Sequence, residues 1–210
     1  MSSPERLILF TRYPEAGVTK TRLIPVLGPA GAADLQRRMT AHVLVRAEAL
    51  ARARPATIEV RFEGGSEDGM RAWLGGGYRY RRQGGGDIGR RMRRALADAF
   101  QEGVERAVLI GSDIPGITAA LLMTAFDRLG AGDIVLGPAA DGGYYLIGLC
   151  RSAWDRGAQN LFRNIPWGGE HVFTATRERI DTLGLEAVLL DTLADIDRPE
   201  DLALWEQSCP

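Results

Sequence analysis

The sequence predicts an α/β fold: a largely parallel sheet with helices on both faces. Three observations predict it. Apolar runs of strand length alternate with longer stretches of helical spacing along the whole chain. The first run, residues 7–10, is continuously apolar, as a strand buried on both faces must be. Charged residues and glycines gather just after these runs, where an open α/β sheet places its ligands.

Residues 7–10 give the first strand, and a loop runs from there to Gly28. Pro29 opens a long helix to Arg54, because Leu35, Met39, Val43, Ala47 and Leu50 fall on one stripe. Residues 57–62 alternate as a strand, residues 70–74 form a short helix and residues 78–82 another strand. The loop Gly84-Gly85-Gly86-Asp87 feeds a helix over residues 88–102. Residues 107–110 form a buried strand that ends in Gly111-Ser112-Asp113. Thr118 caps a helix to Leu129, followed by strands at 134–136 and 144–149. A helix over 174–183, a strand at 188–190 and a helix over 199–207 complete the alternation. With no repeat and no low-complexity linker, residues 1–210 read as a single domain.

Composition narrows the function classes. A net charge of -1 gives no broad attraction for nucleic acid or anionic lipid. No apolar run is long enough to span a bilayer, and no signal-like segment precedes the first strand. Cys150 and Cys209 have no metal-ligand spacing, which suits a reducing cytoplasm. The expectation is a soluble cytoplasmic protein with small-molecule ligands.

Five segments carry chemistry. Between Phe10 and Leu23 stand Arg12, Lys20 and Arg22 with Gly17 among them. Arg offers a planar fork of donors and Lys a mobile charge, while Gly lets backbone N–H groups come close to a phosphate. The residues alone admit a phosphate loop and a solvated basic loop equally. Gly111-Ser112-Asp113-Ile114-Pro115 puts a carboxylate at a strand tip, placed to hold a hard cation or to cap a turn. Asp141-Gly142-Gly143 reads first as a hairpin turn, but Tyr144 and Tyr145 follow it and suit a sugar or base. In Asp195-Ile196-Asp197, Asp197 is either a helix cap or a second metal ligand opposite Asp113. Gln83 and Gly84 to Asp87 open a helix whose N-terminus can receive a nucleotide. His42 and His171 have no Ser or Cys elbow beside them, which disfavours a nucleophilic triad.

In this order the segments resemble a bacterial family of glycosyltransferase-A-like transferases, relatives of the guanylyltransferases acting on phospholactate and the molybdenum cofactor. The marks are Phe10-x-Arg12-x-Pro14-x-x-Gly17-x-x-Lys20-Thr21-Arg22-Leu23, Gly86-Asp87-Ile88-Gly89-x-Arg91-Met92, Gly111 to Pro115, and Asp141 to Gly148. The resemblance covers nearly the whole chain. It implies a nucleotide-diphospho-sugar transferase fold, with Mg2+ or Mn2+ on Asp113 and Asp197. It places Arg12, Gly17, Lys20, Arg22, Gln83, Gly86 and Asp87 on the nucleotide. For the reaction that follows, Lys20 and Arg22 are the catalytic candidates with Asp141, which either positions the acceptor or acts as general base, and Tyr144 and Trp167 are candidate acceptor contacts. Tyr13 to Gly17 departs from the paired-glycine opening of the cofactor guanylyltransferases, which argues against GTP, and Gly168-Gly169 replaces a Ser-Thr pair of relatives. The implied reaction is sugar transfer from a nucleotide sugar to a small acceptor. Its rivals are nucleotidyl transfer from an NTP to a phosphorylated acceptor and nucleotide binding without turnover.

Overall fold

The computed structural model describes residues 4–208, so Cys209 lies outside the described residues. Seven strands form one sheet: β1 Glu5–Arg12, β2 Ala56–Glu63, β3 Arg79–Arg82, β4 Arg106–Ile110, β5 Ile134–Pro138, β6 Tyr144–Cys150 and β7 Ala187–Leu189. Their order is β3-β2-β1-β4-β6-β5-β7. All pairs are parallel except those of β6, which runs antiparallel to both β4 and β5. The Asp141-Gly142-Gly143 hairpin explains the reversal: a short turn can join only antiparallel neighbours.

Strand β1 shows why both faces are covered. Leu7 and Leu9 join one apolar core, and Ile8 and Phe10 join the other. The first core is roofed by α1 (Ile24–Ala53), α2 (Glu67–Leu74) and α4 (Ala119–Arg128). The second lies under α3 (Ile88–Gln101), α5 (Arg151–Asp155) and α6 (Val172–Thr182). A smaller cluster joins the start of α1 to Ile196 and to Trp205 of α7 (Leu202–Ser208). That cluster fixes the chain's final stretch against its first loop.

The helix boundaries follow from caps. Ser66, Asp87 and Thr118 accept the third following backbone N–H of α2, α3 and α4. In α1, Gly28 sits at φ 70 and ψ 167, so the continuous helix starts at Pro29 and a single turn precedes it. Three elements were not foreseen: the 3-10 turn Thr21–Leu23 inside the expected loop, α5, and the 3-10 turn Ala158–Phe162, all too short to show a period.

Candidate functional site

Two adjoining cavities open at the carboxyl ends of the parallel strands. The first, of about 590 Å³, is lined from β1, β2 and the segments after β3 and β4. The second, of about 770 Å³, is lined from the β5–β6 hairpin, the 167–172 segment and residues 194–201. Arg22, Ile88 and Asp197 belong to both.

The loop after β1 is shaped by Thr19. Its buried hydroxyl donates to the Tyr13 carbonyl at 2.9 Å and accepts the Glu15 N–H at 3.2 Å. This closes the loop and turns Lys20 into a left-handed backbone, φ 51, which a non-glycine residue adopts at a cost of roughly 1 kcal/mol. The ammonium then donates to Asp113 Oδ2 at 3.1 Å and to the Ile196 carbonyl at 2.5 Å, and lies 3.8 Å from Asp197 Oδ1. Arg22 pairs with the other oxygen of Asp197.

Asp113 and Asp197 are fixed by the backbone between them. The Ile196 N–H donates to the Asp113 carbonyl at 3.0 Å, and the Ile196 side chain is fully buried. Residues on either side of a buried residue in extended chain point the same way. Asp195 and Asp197 therefore both face the cavities. Burial, with Asp113 and Asp141 nearby, pushes the Asp195 carboxyl up to about 6.

Among the described residues, no group of three or more His, Cys, Asp or Glu side chains is placed to hold a metal. Asp113 and Asp197 nevertheless fit a hard cation. Both aim at one point, now taken by the Lys20 ammonium, and such an ion needs only one or two carboxylates beside water and phosphate oxygens.

The other expected nucleotide contacts divide. Arg12, Gln83, Gly86 and Asp87 line the first cavity, but Gly17 does not. Gln83 is buried and donates to the carbonyls of Thr11 and Arg61, so its amide N–H groups tie strand ends together. Asp87 accepts the Arg90 N–H at 2.8 Å as the cap of α3. In the second cavity the structure brings together Asp141, Tyr144 and Trp167. The two rings meet edge to face, with centroids 6.3 Å apart. Burial raises the Tyr144 phenol above its usual range, so it stays neutral.

Among the charged lining residues to which the sequence reading gave no role are Glu63, Arg91 and Asp195, the last two inside segments it had singled out. Glu63, the last residue of β2, takes Arg12 at 2.8 Å and Arg91 at 3.1 Å. Arg91 also donates to the Gly86 carbonyl, bracing the glycine loop. The third is Asp195, and the D-x-D pattern around an apolar residue was its available signal.

No curated protein matches the chain. A nucleotide-diphospho-sugar transferase candidate from Desulfovibrio desulfuricans G20 is 35% identical, with a TM-score of 0.89 over 97% of this chain and 86% of that one. CMP:2-keto-3-deoxy-manno-octonic acid synthetase, solved with CTP, is 15% identical, with a TM-score of 0.61 over 97% of this chain and 98% of that one. Glucosyl-3-phosphoglycerate synthase from Mycobacterium tuberculosis, solved with Mn2+, UDP and glucosyl-3-phosphoglycerate, is 15% identical. Its TM-score is 0.57 over 97% of this chain and 75% of that one. Both distant likenesses show the fold, shared between a nucleotidyl and a glycosyl transferase. The model of DUF2064, described as an uncharacterized protein conserved in bacteria, matches residues 44–169, and the chain belongs to that family.

Proposed function

We propose that residues 1–210 form one cytoplasmic transferase domain that moves a sugar from a nucleotide sugar to a small acceptor. One observation carries the reading: a cation-lined cavity and a carboxylate-and-aromatic cavity meet at Arg22 and Asp197. A donor lying across the boundary puts its diphosphate against Lys20 and Arg22 and its sugar toward Asp141. The family relative named for nucleotide-diphospho-sugar transfer supports the same direction.

In this reading Arg12, Lys20 and Arg22 bind phosphate oxygens, and Lys20 and Arg22 leave their carboxylates to do so. Asp113 and Asp197 would hold Mg2+ or Mn2+, which supplies charge neutralisation to the diphosphate when bound. Asp141 takes the proton of the attacking acceptor hydroxyl, as the new bond to the sugar forms and the bond to the diphosphate breaks. Tyr144 and Trp167 hold the acceptor.

The test is product analysis with Mn2+ against a panel of nucleotide sugars and NTPs. Release of a nucleoside diphosphate supports sugar transfer, whereas pyrophosphate release replaces it with nucleotidyl transfer. Neither product with any donor overturns the reading. Asp113→Asn is expected to lower Mn2+-dependent product formation about 100-fold, the scale of losing one group that stabilises developing charge.

A further inference from the structure

The charge of the second cavity bears on which acceptors it admits. Its walls carry Asp141, Glu170, Asp195, Asp197 and Asp201 against Arg22 and Arg198. Arg22 stands on the boundary with the first cavity, where the proposed diphosphate engages it, so Arg198 is the cation left to face these acids. The Asp201 carboxylate accepts the backbone N–H groups of Asp197 at 3.0 Å and Arg198 at 2.7 Å, which holds the acidic wall in place. Across from it the hairpin is equally fixed. Asp141 accepts the Gly143 N–H at 2.8 Å, and the Phe173 N–H donates to the Gly142 carbonyl at 2.8 Å. The remaining wall is the Tyr144 and Trp167 pair.

Carboxylates are acceptors only, so they suit hydroxyl groups and repel phosphates and carboxylates. Ring faces suit the C–H surface of a sugar-like compound. The first cavity differs in balance, because there Arg12, Lys20, Arg22 and Arg91 offset Glu63, Asp87, Asp113 and Asp197 in the lining. Anionic groups are therefore better matched by the first chamber, where the proposed donor's diphosphate lies.

We propose that the second cavity selects a non-anionic, hydroxyl-bearing acceptor and discriminates against its phosphorylated counterpart. The proposal rests on the transferase reading above for the word acceptor, but its test reads binding alone. Trp167 emission, isolated by difference from Trp167→Phe, is titrated with sorbitol and with sorbitol 6-phosphate, and likewise with glucose and glucose 6-phosphate. The uncharged member is expected to bind about tenfold tighter or more, a modest margin for like-charge exclusion. Glu170→Arg is expected to narrow that ratio, since Glu170 is exposed on the rim. Equal or tighter binding of the phosphorylated members overturns the proposal, and so does the absence of a Trp167 response to every compound. A preference for the uncharged members alongside no product release would retain the selectivity and remove the transferase reading.

Discussion

At the scale of single residues, Lys20 has two occupations. Here it neutralises Asp113 and Asp197 from a position only 8% exposed, and in the proposed reaction it turns to phosphate. A charge-assisted hydrogen bond of this kind contributes about 1.5–3 kcal/mol. Lys20→Met should therefore weaken nucleoside diphosphate binding roughly 10- to 100-fold by calorimetry. An unchanged affinity would leave the ammonium as a purely structural counterion. Asp87 invites a finer distinction, because it caps α3 and also lines the cavity. Asp87→Asn keeps an oxygen acceptor, so folding stability should be held, while Asp87→Ala should cost about 1 kcal/mol in denaturant titration. A large loss of nucleotide affinity in the Asn variant would identify a direct ligand role. The sequence exposed both residues but not their present partners. Chain position says that Lys20 follows β1, yet a contact with Ile196, 176 residues away, depends on how the last segment is laid across the sheet.

Between elements, α3 and the 167–172 segment pack tightly at Gly89, against the Trp167 ring. A side-chain carbon built there would lie 2.4 Å from the Trp167 ring. Gly89→Ala gains helix propensity, worth up to about 1 kcal/mol, but must displace the indole, and overpacking typically costs about 1–3 kcal/mol. The expected signature is weakened polyol binding with nucleotide binding nearly intact. Helices with caps and stripes were legible from the sequence because α1, α3 and α4 carry their own signals at Pro29, Asp87 and Thr118. The antiparallel direction of β6 was present in the hairpin residues, though alternation of strands and helices suggested a parallel sheet. The Trp167 contact was not legible, since nothing local to Gly89 states what packs on it.

Across the whole molecule, a buried ionic network ties β1 and β2 to α3. Arg6, Glu59 and Arg61 are almost fully buried, and Asp98 and Glu102 of α3 and its end close the network. Glu59→Gln removes the one carboxylate shared by both arginines and should cost about 3–5 kcal/mol in unfolding free energy. Acid acts on the same network. Burial raises Glu102, but hydrogen bonds from Arg6 and Arg81 outweigh it and hold its carboxyl below the usual value. Glu63 behaves alike, with burial outweighed by Arg12 and Arg91. A carboxyl with a lowered folded-state value stabilises the protein above its unfolded value of 4.5, and the gain disappears as pH falls through the folded one. Melting temperature should thus decline below about pH 4.5, and Glu102→Gln should flatten that decline.

The same long-range tie between Lys20 and Ile196 has a consequence for synthesis. The strands that flank β1 are complete once β4 has been made, so much of the sheet can assemble on a growing chain. The cleft cannot. Ribosomes deliver Ile196 and Asp197 only after all seven strands, and until then Lys20 lacks a carbonyl and a carboxylate partner. A nascent chain would carry a nearly finished scaffold with an immature site. Stalled chains ending near residue 190 should therefore resist proteolysis in their first half while failing to retain nucleotide.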